Sequence, residues 1–169
     1  FTVVVHRVTL PGLKASTFLY TNWFNLVQME KHHRLTRWSR AWYAMLDRYA
    51  ALMASGRQNC INIPGEFITV SGASITLDGD RLLSFIDVFR RHGFRYFESP
   101  HLMSRSGNDD WNDPELTVTS TMRRYWTPEG KRDVATIVTL LRGFIRRNGI
   151  KGSWLQRISQ QATPARAKA

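Results

Sequence analysis

Apolar residues along this chain fall into two rhythms. Trp42, Tyr43, Leu46, Tyr49, Ala50 and Met53 recur at three- and four-residue steps, the spacing that keeps one face of an α-helix apolar. Ser39 precedes the run as an N-cap and Gly56 follows it as a stop. Leu82, Leu83, Ile86 and Phe89 predict a second helix over 80–92, ended by Gly93. The third stripe is the longest: Val134, Ile137, Val138, Leu141, Phe144 and Ile145. Thr127 caps it, Pro128 occupies its first turn, and Asn148-Gly149 closes it.

Between these stripes lie short apolar or β-branched runs that read as strands. They cover 1–10, 18–20, 59–63, 94–98 and 154–159, and Pro11-Gly12, Pro64-Gly65 and Pro100 break three of them. The run at 1–10 has no hairpin partner next to it, so it reads as an edge strand or the last strand of a preceding domain. Residues 67–77 alternate like a small hairpin about Ser71-Gly72, and 104–125 is a long polar segment. From residue 18 onward the order is a strand followed by three repeats of helix and strand. That alternation predicts an α/β fold with a parallel sheet and right-handed crossovers. An eight-stranded (β/α)8 barrel takes about 250 residues, so four strands and three main helices correspond to half of one. An open doubly wound sheet fits the length less well. Its first strand would need a glycine-rich phosphate loop, and Thr21-Asn22-Trp23-Phe24-Asn25 is the wrong chemistry for that.

Composition narrows the class. The chain has 169 residues, 43% of them hydrophobic and six of them Trp, enough for one ordinary domain with a core. It begins with Phe1 and carries no leader-like segment, which leads us to expect a piece of a longer protein whose compartment its own start does not reveal. No apolar run reaches the roughly 18 residues of a membrane helix. The single Cys60 excludes an internal disulfide and sits in an apolar run, where a thiol is ordinarily buried and inert. A net charge of +11 invites a nucleic-acid partner. The basic residues, however, are scattered over predicted polar helix faces and loops, the pattern of a solvated surface.

In parallel α/β folds chemistry gathers at the C-terminal ends of strands. The residues there are Asn22, Trp23 and Asn25; then Asn62; then Glu98 and His101; then Arg157, Gln160 and Gln161. Trp23 offers a face on which the apolar side of a sugar ring stacks, and equally reads as rim packing. Glu98 is the most site-like residue, because a carboxylate ending an apolar strand is costly to bury without a partner. A local ion pair with Arg95 or Arg105 is its bland alternative. His32, His33 and His101 lack metal-ligand spacing, and the acidic run 108–113 lacks the Gly and terminal Glu of a calcium loop. No cofactor and no metal are therefore expected.

Several of these segments together resemble the catalytic domain of glycoside hydrolase family 123 and its relatives in domain-of-unknown-function family 4091. Residues 1–12 resemble the last strand and exit of the β-sandwich that precedes the barrel in that family. Residues 13–169 resemble the N-terminal half of the barrel. "TNWFN" is similar to the first strand end, "WSRAWYAMLDRYAALMASGRQNCINIP" to the first helix and second strand, and "HGFRYFESPHL" to the third strand. "WLQRISQQATPARAKA" resembles a segment of the form W-x-Q-H-I-x-D-E-P.

The resemblance implies an N-acetylhexosaminidase, typically acting on β-linked N-acetylgalactosamine by a retaining, substrate-assisted mechanism. In such a reaction the acetamido oxygen attacks the anomeric carbon, an Asp stabilises the oxazolinium, and the adjacent Glu is the general acid. Gln160 falls at the Asp position and Gln161 at the Glu position, with Arg157 where the family has His. An amide neither protonates a leaving group nor balances a cation, so this chain is expected to be inactive. Asn22, Trp23, Glu98 and His101 remain as sugar-contact candidates. The partner implied is an N-acetylhexosamine-containing glycan, and the resemblance is compatible with a secreted or periplasmic parent. Two other readings stand beside it: a non-catalytic carbohydrate-binding or scaffold module, and a basic nucleic-acid-binding domain.

Overall fold

The computed structural model describes residues 2–105 and 115–158, which form a mixed α/β chain. Among the described residues there are four α-helices and a small parallel sheet. The chain divides into two units, residues 1–61 with 88–95, and residues 62–87 with 96–169.

In the first unit, helix α1 (Leu26–His33) begins where the Asn25 side chain accepts the Gln28 N–H at 3.0 Å and ends at Arg34 in the left-handed region, φ 53°. The apolar pattern does not announce this helix, since only Leu26 and Met29 are buried on it. Helix α2 (Arg40–Ser55) is the predicted one. The Ser39 hydroxyl accepts the Trp42 N–H at 3.1 Å, Gly56 is the C-cap, and Trp42, Leu46 and Ala50 are buried. Glu30 of α1 receives the Arg37 guanidinium, with Nη2 at 2.8 Å, and the Trp42 indole N–H at 2.7 Å. This network ties α1 and the connection after it to the start of α2. Asp47 in turn meets Arg91 at 2.9 Å and His92 at 3.0 Å. Gly93 adopts φ +92°, a backbone conformation that L side chains rarely take, so the turn there calls for Gly.

Two expected strands are corrected in this unit. Residues 2–10 form no strand and are exposed; β-branched composition gives strand propensity, but a strand also needs a partner. Residues 18–20 form none either, yet they lie where a strand would. Asn59 and Cys60 both donate main-chain N–H groups to the Tyr20 carbonyl at 3.1 Å. The buried Asn59 side chain adds the rest, accepting the Tyr20 N–H and donating to the Phe18 carbonyl, both at 2.8 Å. One amide thus replaces the regular ladder.

Strand β1 (Cys60–Asn62) leads out of the first unit. In the second, β2 (Ile68–Ser71) and β3 (Ser74–Leu77) pair antiparallel as the predicted hairpin, with Gly72 at φ +59° opening its two-residue turn. Helix α3 (Gly79–Arg91) begins here and ends in the first unit; its Leu82, Phe85, Ile86, Val88 and Phe89 are buried. Strand β4 (Tyr96–Glu98) carries the buried Phe97. The polar segment after it contains an unpredicted antiparallel pair, β5 (Met103–Arg105) with β6 (Leu116–Val118).

Helix α4 (Pro128–Arg147) follows, capped by Thr127, whose hydroxyl accepts the Gly130 N–H at 3.1 Å. Strand β7 (Trp154–Leu155) then pairs parallel with β4, Phe97 opposite Trp154 and Glu98 opposite Leu155. The sheet order is β1-β4-β7. A core of Leu102, Met103, Val118, Ile137 and Leu141 joins α4 to the β5/β6 pair, with Ile75 and Leu77 of β3 packed against it. Full burial of such a side chain contributes about 1.5–3 kcal/mol.

Candidate functional site

The exits of β4 and β7 build one polar cluster in the second unit. Glu98 ends β4 with its side chain mostly buried, and its carboxylate meets Arg157 Nε at 3.2 Å. Its partner thus comes from the chain beyond β7, not from the sequence-adjacent Arg95 or Arg105 weighed above. Asn62, at the end of β1, points its amide nitrogen at the second carboxylate oxygen from 3.5 Å, the outer limit of a hydrogen bond. The Ile63 N–H donates to the Glu98 carbonyl at 2.7 Å, which holds these two strand ends side by side.

Ser99 sets the geometry. Its side chain is fully buried, and its hydroxyl accepts the Arg157 main-chain N–H and the Gln156 side-chain amide, both at 2.8 Å, while donating to the Pro100 carbonyl at 3.0 Å. The Ser99 N–H donates to the Leu155 carbonyl at 2.8 Å and the Met103 N–H to the Ile158 carbonyl at 3.0 Å. Residues 155–158 are therefore laced to 99–103 beyond the end of the formal strand, and Arg157 is presented to Glu98.

His101 is partly buried beside this pair. Burial, and then the Arg157 guanidinium, hold its imidazole below the usual range, against a smaller upward pull from Glu98. That shift favours the neutral form, in which one ring nitrogen can donate and the other accept. The cluster thus offers a carboxylate held in place by an Arg, an imidazole and an amide. These groups suit recognition of hydroxyl and amide groups, with the Glu98 carboxylate already engaged by Arg157 Nε at 3.2 Å.

The structure brings Glu98 and His101 together. Asn22 and Trp23 belong to the first unit. There the Asn22 amide nitrogen donates to the Tyr20 hydroxyl at 2.9 Å and its carbonyl accepts from Gln58 at 3.2 Å, while Trp23 is 71% exposed. Asn25, from the same polar-aromatic run, is spent on capping α1. Gln160 and Gln161 lie outside the described residues, as does the acidic run 108–113. Ser99 is the residue that sequence reasoning missed; the signal was a small hydroxyl wedged between a strand-end Glu and a Pro. Cys60 is fully buried, as expected.

Among the described residues no group of three or more His, Cys, Asp or Glu side chains is placed to hold a metal ion, and no helix is long and apolar enough to cross a membrane. No protein-family model matches the sequence, and no curated protein is significantly similar to it.

Proposed function

We propose that residues 13–169 are the N-terminal half of a glycoside-hydrolase-like (β/α)8 barrel that recognises N-acetylhexosamine-containing glycans without cleaving them. The observation that carries this reading is the convergence of Asn62, Glu98, His101 and Arg157 at the C-terminal ends of strands in one parallel sheet. The order β1-β4-β7, with a helix in the chain between successive strands, is also what the second, third and fourth strands of such a barrel require. Within the first unit, taken by itself, the exposed Trp23 offers a stacking face of the kind sugars use. Gln160 and Gln161 stand where the resembling family has its Asp and Glu, so binding persists in this reading and acid catalysis does not. Loss of acid catalysis alone accounts for about 10²–10⁴-fold in rate.

The test has two arms. Titration of N-acetylgalactosamine and its β-linked oligosaccharides into the ¹⁵N-labelled chain is expected to shift the Arg157 and His101 resonances, and Glu98→Gln to weaken that response. Absence of any saturable shift overturns the binding reading. In a chain carrying all eight barrel strands, Gln160→Asp with Gln161→Glu is expected to create turnover of an aryl N-acetyl-β-galactosaminide. Silence from that folded double variant, with glycan binding intact, separates a sugar-binding module from a hydrolase that lost its acid pair.

A further inference from the structure

Helix α4 turns a different face to a groove of about 560 Å³ lined by Leu77, Thr139, Arg142, Gly143, Arg146 and Arg147. We propose that this groove binds a small ligand bearing phosphate or sulfate ester groups. Its volume lies within the range of about 300–1,000 Å³ typical of small-molecule sites.

Three observations converge on an anion. Arg142, Arg146 and Arg147 are exposed, and none forms an ion pair with an acidic side chain among the described residues. Arg142 and Arg146 are four residues apart on the helix, an arrangement in which like charges repel, and a bound anion relieves that repulsion. Gly143 sits inside the helix, where Gly is the poorest residue after Pro. A Cβ at that position would lie 3.2 Å from Arg147 Nη1, so the missing side chain opens the groove floor and lets the Arg147 guanidinium fold back over it.

The helix dipole explains basic residues in the last turn, which accounts for Arg146 and Arg147. It explains neither Arg142, more than a turn earlier, nor Gly143. The C-terminal dipole amounts to about half a negative charge, and three guanidinium groups exceed it. Guanidinium forks match tetrahedral oxyanions bidentately, and Leu77 at the rim offers an apolar contact for whatever carries the ester.

The experiment is calorimetric titration of the 169-residue chain with glucose 6-phosphate in one arm and a 6-O-sulfated hexosamine disaccharide in the other. Saturable one-to-one binding is expected in at least one arm, and the tighter arm identifies the ester. Arg142→Gln with Arg146→Gln is expected to weaken it on the order of tenfold or more, the loss of charge-assisted hydrogen bonds. Arg40→Gln with Arg48→Gln removes the same charge elsewhere and is expected to leave affinity unchanged. Gly143→Leu keeps every charge, fills the groove and is expected to abolish binding without lowering the thermal midpoint. Equal losses in the two double variants, wild-type affinity in Gly143→Leu, or no saturation in either arm overturns the proposal.

Discussion

At Asn59 a single side-chain amide supplies two main-chain hydrogen bonds that a strand pair would ordinarily provide. Its oxygen takes the Tyr20 N–H and its nitrogen serves the Phe18 carbonyl. Asn59→Ala is expected to destabilise the protein by about 1–3 kcal/mol in urea unfolding, the range for orphaned polar groups. Asn59→Asp is expected to cost more, since it loses the donor and buries a charge. A second residue-scale expectation concerns His101. Its imidazole should titrate below the ordinary value, by NMR. Arg157→Gln should move that midpoint up and Glu98→Gln should move it down, following the sign of each neighbour's charge. Glu98 itself was legible in the sequence, because a carboxylate ending an apolar run has few innocent explanations. Its partner was not, since Arg157 reaches it only through the parallel pairing of β4 with β7 and the Ser99 hydroxyl, neither of which leaves a local pattern.

The elements divide by how much of their stability is local. Helices α2 and α4 carry caps, stops and long apolar stripes, and they form where those signals put them, to within a residue. The β2/β3 hairpin follows its alternation and its Gly72. Helix α1 has only two buried residues and rests on its cap and the Glu30 network, so periodicity did not reveal it. The run at 2–10 shows the converse, strong β propensity with no strand. At the start of α4, a Cβ on Gly130 would overlap the Arg124 carbonyl oxygen, so the helix enters directly against main chain. Thr127→Ala is expected to cost about 1 kcal/mol, a lost cap. Gly130→Ala is expected to cost more despite its better helix propensity, because the backbone at 124–125 must move. Thermal unfolding of the two variants checks the order; a stabilised Gly130→Ala would contradict the close approach.

At the scale of the whole molecule, charge dominates the response to acid. The Arg37 guanidinium and the Trp42 indole hold Glu30 below the ordinary carboxylate value of 4.5, although burial opposes them. His92 and Arg91 do the same for Asp47, whose ordinary value is 3.8. Both groups bind fewer protons folded than unfolded, so their contribution is complete above the ordinary values and is lost as pH falls through the lowered ones. With 24 basic residues against 13 acidic, protonating carboxylates also adds to self-repulsion. Urea unfolding is expected to show stability falling below pH 4.5, and Glu30→Gln is expected to be less stable at pH 7 with a shallower acid limb. An unchanged limb would remove Glu30 from that account.

The Asn59 amide has a consequence in time as well as in energy. Its bonds to Phe18 and Tyr20 span 41 and 39 residues, closing a loop that holds both α1 and α2. Closing such a loop before those helices exist costs chain entropy with little return, so the segment at 18–20 should dock after them. Stopped-flow kinetics of Asn59→Ala are then expected to show faster unfolding with nearly unchanged refolding, the mark of an interaction absent from the transition state. The first stretch of the chain to meet β1 in sequence order is the last to join it in folding, and the first to let go.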